Sequence, residues 1–307
     1  MAMAANTELF TEIDALELGA NNRAWREAMK AAPYKIFAER EKYTVASWRE
    51  TEGEDLQLRR AKLLARVLDN IEIKIHPFDE IAGRPTPGVI GCATSFDVCG
   101  DYIPAIWSDS DEIDATLDAR VSLAPEDKDI LREAARAFGK TAAPAMTYRA
   151  WENIAGSWAR DAEAAKLKDP TLDSAIYGQT TSALLWEKTL SVGLRAFVSE
   201  AKEKLDGYVG SEGADARKIY FWQSAIVSLE AVIRHAHRYA NLAEAQGREE
   251  MAETLRRVPE FPARNLREAL QSMVICNVGK MLEHPMQNNS HWARADQYLY
   301  EYFMNDL

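Results

Sequence analysis

The sequence predicts a mainly α-helical fold with a few β-strands. Three observations carry that prediction: apolar residues recur at helical spacing over several long segments, a single stretch alternates with the period of a strand, and irregular Gly- and Pro-rich text separates them. With 47% hydrophobic residues in 307, the chain is neither disordered nor fibrous. No internal repeat, low-complexity tract or Pro/Ser-rich linker marks a boundary, so one domain over residues 1–307 is expected.

The elements follow in order. Over residues 20–70, Trp25, Met29, Ile36 and Phe37 recur at helical spacing, and Leu56, Leu63, Leu64, Val67 and Leu68 share a face, with Gly53 separating the two runs. IEIKIHPFDEIAG (71–83) alternates Ile71, Ile73 and Ile75 with Glu72 and Lys74 and reads as the clearest strand. Residues 84–107 read as irregular backbone, the kind that often carries binding groups. A helix is expected over 124–138, opened by Pro125 with Glu126 and Asp127 in its first turn and ended by Gly139. Leu190, Leu194, Phe197, Val198 and Leu205 predict a helix over 184–205 that Gly193 interrupts only mildly. Residues 216–245 should form a long, largely buried helix, and two more are expected near 266–283 and 293–304.

Charge excludes several functions. There are 37 Lys and Arg against 48 Asp and Glu, a net −11, and the basic residues are interleaved with acids, so nucleic acid is not an expected partner. No run of about 18 uncharged apolar residues and no signal-peptide pattern occurs, which predicts a cytoplasmic chain without membrane association. Cys92, Cys99 and Cys276 are too few and too unevenly spaced for a disulfide framework or a zinc site.

The chemistry-bearing residues are sparse. Cys92 sits in VIGCATSF, where a reactive thiolate competes with the commoner role of a small buried hydrophobe, and Cys276 lies on an apolar helical stretch that favours the core. Of the five histidines, His235 and His237 fall on different faces of one helix, so no zinc pair forms. His284 and His291 flank a polar MQNNS segment where pocket groups could converge; His76 ends the alternating run. Acidic runs at 51–55, 109–114 and 125–129 read as solvated faces or helix starts, and no phosphate-binding glycine motif is present.

Four blocks nevertheless resemble one family in the right order: Glu39-Arg40, TEGE (51–54) and RRAK (59–62) leading into IKIHPFDEIAG; YGQTTSALLWEKTLSVGL (177–194); the long run with Arg238-Tyr239-Ala240; and VPEFPARNLREALQ (258–271) followed by ARADQYLYEYF (293–303). The sequence is similar to the glycyl radical enzymes of the pyruvate formate-lyase superfamily, in particular their dehydratase and decarboxylase branches. The resemblance implies the N-terminal portion of an α/β barrel that has ten strands in whole members. It also implies radical chemistry, in which a backbone glycyl radical, installed by a radical S-adenosylmethionine activase, oxidises a cysteine whose thiyl abstracts a substrate hydrogen.

The family's Gly-Cys-x-Glu and glycine-radical motifs do not occur in residues 1–307, so no catalytic residue is assigned, and neither metal nor cofactor is expected on this chain. The resemblance thus implies a truncated frame or one subunit of a split lyase, inactive alone and partnered by the C-terminal half, the activase and, by family habit, a second copy. It places Gln179 where pyruvate formate-lyase has a carboxylate-binding arginine, and His291 where a substrate-facing serine is usual; both are candidate substrate contacts. A neutral amide at Gln179 suits a hydroxyl or amide better than a carboxylate. Arg294, Asp296 and Gln297 match the Gly-Arg-x-Asp-Gln signature, with Ala293 in place of its glycine, and are expected to be structural. The rival expectation is a non-catalytic helical scaffold that binds a small molecule or a partner.

Overall fold

A computed structural model describes residues 19–98, 121–138, 153, 156, 184–210, 213–283 and 295–306. Helix α1 (Ala20–Ala31) buries none of its residues and stops before Pro33, which cannot continue a helix and pushes its neighbour toward extended backbone. Tyr34–Phe37 then forms β1, the middle strand of a parallel sheet in the order β2 (Gly91–Ala93), β1, β3 (Val121–Ser122), with Ile36 opposite Cys92 and Tyr34 opposite Val121. The helical spacing of Ile36 and Phe37 was therefore fortuitous. Four aromatic or β-branched-rich residues behind a proline make a strand instead.

Helices α2 (Glu39–Glu50) and α3 (Leu56–Asn70) are separated by a turn in which Gly53 takes φ 87°, and the Asp55 carboxylate caps α3 by accepting from Gln57 N at 2.9 Å. Helix α4 (Pro125–Phe138) starts and stops as the sequence predicts. It closes one core with β1 and α2, built from Ile36, Val45, Phe96, Leu131 and Phe138, with Trp48 edge-on to Phe138.

The remaining helices surround α6 (Ala216–Ala245), which is packed by α3, by α5 (Trp186–Tyr208), by α7 (Glu249–Arg257) and by α8 (Leu266–Glu283); α9 (Ala295–Asp306) lies against α8. The expectation that α6 is largely buried holds only for its second half. Its buried residues run from Ala231 to Ala243, and none precedes Ala231.

Two further expectations are corrected. Residues 71–83 form no strand. The alternation is real, since Ile71 and Ile75 are buried and Glu72 is exposed, but among the described residues no neighbouring strand pairs with it. Side chains from α6, its C-terminal exit and α8 take the place of a ladder: Arg238 donates to the carbonyls of Leu68 and Ile71, Gln246 to Ile75 O, and Arg248 to His76 O. Gln271 of α8 brackets Ala82, donating to its carbonyl at 2.7 Å and accepting from its N–H at 3.0 Å. Period two reports a strap extended over helices as readily as a strand.

Gly193 is more than a mild interruption. Its φ of 75° and ψ of 164° are non-helical, and a Cβ there would lie 2.5 Å from Glu260 O. The break frees the amides of Leu194 and Arg195, which donate to Pro259 O at 2.8 Å and Glu260 O at 2.9 Å. Among the described residues no helix is long and apolar enough to cross a membrane.

Candidate functional site

Two arginines of the first family-like block, Arg40 and Arg60, meet in a buried ion cluster between α2, α3, the segment after β2 and the C-terminus of α8. Arg40 is its centre and is fully buried. Its Nε donates to Leu282 O at 2.7 Å and its Nη2 to Glu283 O at 3.0 Å, so the guanidinium caps the carbonyls that the end of α8 leaves without helical partners. The same fork reaches Asp97, Nη1 to Oδ1 at 2.6 Å and Nη2 to Oδ2 at 3.2 Å. Arg60 of α3 bridges the other side of Asp97 to the carboxylate of Glu283.

The charges inside this cluster respond differently to burial. Burial pushes the Asp97 carboxyl up, but the guanidiniums of Arg40 and Arg60 outweigh it and hold Asp97 below the usual range. For Glu41 burial wins, and its carboxyl is raised despite Arg40, the Phe96 N–H at 2.9 Å and the Thr44 hydroxyl at 3.0 Å. The rest of the first block ties α2 to α3: Arg59 donates to Trp48 O at 2.6 Å and stacks on the Trp48 ring, while Lys62 meets Glu54 at 2.7 Å.

The other blocks do the same work at other joints. Tyr239 takes the Arg84 N–H at 3.1 Å and donates to Arg84 O at 3.3 Å. Glu268 is gripped by Arg264, which donates from Nε at 2.9 Å, and by Arg257 at 3.4 Å. Glu260 gathers Arg195 at 2.7 Å and His237 at 3.0 Å where the Gly193 break meets α6. These motif residues brace the fold rather than assemble a nucleophile and its base.

The candidate residues divide accordingly. Gln179, His291 and Arg294 lie outside the described residues, as do Cys99 and His284. Asp296 and Gln297 stand exposed in the first turn of α9, where a carboxylate complements the positive helix end. Burial pushes the Cys276 thiol up to about 12, which leaves it inert. Cys92 neighbours the Tyr34 phenol, and that neighbour, with burial, pushes the phenol up to about 12. His235 is buried, donates from Nδ1 to Leu68 O at 2.8 Å, and burial takes its pKa down to about 4. His235 therefore faces α3 while His237 faces Glu260, two separate faces as their spacing requires.

Among the described residues no group of His, Cys, Asp and Glu could hold a metal ion. An open, mainly apolar groove of about 440 Å³ runs between α3 and the first half of α6, lined by Leu56, Leu64, Phe221 and Ala225 with Arg60 and Glu283 at its edge. The ion cluster was missed in the sequence because Arg40, Glu41 and Thr44 make up a buried polar face that hydrophobic periodicity does not detect. Glu39-Arg40 within the family-like block was the signal that could have found it.

The pyruvate formate lyase-like family model matches residues 17–307. The chain belongs to the pyruvate formate lyase-like family of glycyl radical enzymes. It is similar to isethionate sulfite-lyase of Nitratidesulfovibrio vulgaris, 28% identical over an alignment of 295 positions that covers 89% of this chain and 34% of that protein. Its fold is similar to a glycyl radical enzyme from Archaeoglobus fulgidus, with a TM-score of 0.75 and 26% identity over 92% of this chain and 37% of the other. The B12-independent glycerol dehydratase from Clostridium butyricum has the same fold over 94% of this chain and 37% of its own, with a TM-score of 0.76 and 22% identity. The chain thus spans about a third of the length of the relatives it matches, aligned with their N-terminal third. Within this family the braces at Arg40, Tyr239 and Gln271 give a physical reason for a likeness spread along the chain rather than gathered in one loop.

Proposed function

We propose that this chain forms the N-terminal helical wall of a glycyl radical lyase or dehydratase, acting as part of a larger assembly in a single domain. The observation that carries the reading is the family match over residues 17–307 together with the absence of the Gly-Cys-x-Glu motif from the sequence. The radical cysteine and glycine are then supplied from outside these residues, and this chain binds no cofactor itself. The assembled reaction is eliminative cleavage of a C–O, C–N or C–C bond of a small molecule, to which the sulfite-lyase relatives add a C–S bond.

Within that reading this chain's task is positional: rigid helices hold a substrate-facing segment in register so that the reacting C–H bond meets the thiyl sulfur. Gln179 would donate or accept a hydrogen bond from a substrate hydroxyl or amide, and His291 would take the place of a family serine. A radical S-adenosylmethionine activase and a second copy complete the expected partners, in the cytoplasm.

The test is anaerobic expression of this chain together with the remainder of the family fold, in one reading frame or two, and an activase, followed by electron paramagnetic resonance. A glycyl doublet in the copurified material is expected. A folded, stable chain that yields neither a complex nor a doublet would overturn the reading and favour the non-catalytic scaffold.

A further inference from the structure

The buried ion cluster holds more acid than it can pair. Arg40 and Arg60 bring two positive charges, against which Asp97, Glu283 and Glu41 would bring three negative ones if all were ionised. The guanidiniums meet Asp97 and Glu283 directly and do not meet Glu41. The five N–H groups of Arg40 already have five acceptors: Leu282 O, Glu283 O, Thr94 O and both oxygens of Asp97. Glu41 Oε1 stands 3.6 Å from Arg40 Nη1 with no N–H left for it.

The hydrogens at Thr44 point the same way. Glu41 and Thr44 are fully buried, and Thr44 Oγ1 lies 3.0 Å from the backbone carbonyl of Glu41 and 3.0 Å from Glu41 Oε2. One hydroxyl has one hydrogen. Donated to the carbonyl, as helical threonines commonly donate it, that hydrogen leaves only lone pairs facing Oε2, and the second contact closes when Oε2 carries a proton of its own. Oε1 accepts the Phe96 N–H at 2.9 Å. The neutral acid thus has one donor and one acceptor, both satisfied, whereas a carboxylate would have one N–H for two buried oxygens. The surrounding elements supply no spare cation. Asp97, on the segment after β2, is itself an acid; Arg60 of α3 and Glu283 of α8 pair on its far side. Helix α4 meets α2 with Leu131 and Phe138, and its Glu133 pairs with Arg49 at the exposed rim.

We propose that a proton on Glu41 latches α2 to the segment after β2, and that alkaline solution opens the latch by removing it. The carboxylate left behind is a sixth acceptor for the five N–H groups of Arg40 and a second negative charge beside Asp97. It draws Arg40 from one of its present acceptors and repels Asp97, so the joint that holds Phe96, Asp97 and the end of α8 loosens. Burial, joined by Asp97 and opposed by Arg40, raises the Glu41 carboxyl in the direction the latch requires.

Glu41→Gln tests the latch, because the amide keeps both contacts, accepting from the Phe96 N–H and donating to Thr44, and has no proton to lose. The folding constant of Glu41→Gln, divided by that of the unsubstituted chain, is measured by denaturant titration across pH; His235 titrates in both chains and cancels. A native acid that holds its proton more tightly than the unfolded chain contributes its full stability below about pH 4.3 and loses it as pH rises toward its own ionisation. The ratio should therefore rise about tenfold per pH unit above about 4.3 and level off only where native Glu41 ionises. In the unsubstituted chain the Phe96 amide, corrected for the intrinsic rise of exchange with pH, should lose at least about tenfold in hydrogen-exchange protection across that ionisation, and in Glu41→Gln it should not.

A ratio that stays flat or falls as pH rises means that native Glu41 is ionised, and overturns the proposal. Phe96 protection that changes alike in both chains overturns it as well. Should Glu41→Gln fail to fold, infrared difference spectra of the folded, unsubstituted chain decide: a protonated-carboxyl band that persists above the ordinary glutamate range and fades in step with Phe96 protection is expected, and its absence overturns the latch.

Discussion

The interior around Arg40 and the exterior of α9 invert the usual placement of residues. Ionisable groups lie inside at Arg40, Glu41 and Asp97, while Tyr300, Phe303 and Met304 lie outside. The difference teaches that burial follows the partners available to a group, not its class. Arg40 has five polar contacts within its site and tolerates complete burial, because each lost water is replaced by a carbonyl or a carboxylate. Tyr300 and Phe303 on the outer side of α9 lack such partners among the described residues and remain in water.

The largest test of that contrast is to remove the centre of the cluster. Arg40→Ala leaves Asp97 buried with only Arg60 and leaves the end of α8 uncapped, and should cost about 3–5 kcal/mol in a denaturant titration. Adding Asp97→Asn should recover part of the loss, because the orphaned charge goes with it. Recovery by less than the error of the titration would mean that Arg40 acts by capping α8 alone.

A second test uses acid. Burial of His235 outweighs the Leu68 carbonyl and the nearby Asp69 carboxylate and leaves it a pKa of about 4, against about 6.5 when unfolded. The unfolded chain therefore takes up a proton that the native chain refuses, and the contribution of His235 to stability falls as pH drops from about 6.5 to 4, by about 3 kcal/mol. Asp97, whose native pKa is lowered, adds stability above its unfolded value near 3.9 and loses it only in more acidic solution. The two groups separate into two windows. His235→Gln, which can keep the bond to Leu68 O, should flatten the upper window and leave the lower one unchanged.

These internal contacts also show what could be read without a structure. Helices α4 and α6 were legible because Pro125 opens the first with acids in its first turn and apolar residues recur at helical spacing through the second. The strap at 71–83 was legible as extended but not as unpaired, since alternation encodes side-chain direction and says nothing of what meets the carbonyls. Strand β1 was hidden because four residues are too few to establish a period against the helices on either side. The ion cluster was visible only as a resemblance. Arg40, Asp97 and Glu283 are separated by up to 243 positions, and nothing local in the sequence announces that they meet.

Gly193 gives an intermediate effect. Gly193→Ala forces a side chain into positive φ and places its Cβ 2.5 Å from Glu260 O, so α5 must move away from the turn that Arg195 and His237 hold. The expected loss is about 2 kcal/mol or more, read as a lower denaturation midpoint at unchanged slope. A neutral outcome would show that the break in α5 is adjustable and that the 258–263 turn is held from elsewhere.

The smallest expected effect lies on the other side of the comparison. Phe303→Ser in the chain alone removes a large aromatic that water already reaches, and should change stability by no more than about 0.5 kcal/mol, because little apolar area returns to solvent on unfolding. The same substitution in the assembled enzyme should weaken association and leave the core of the chain intact. An aromatic that is neutral in isolation and costly in the assembly belongs to an interface; one that is costly in isolation is already part of a core. Denaturation of the chain alone, with and without Phe303→Ser, distinguishes the two before any partner is in hand.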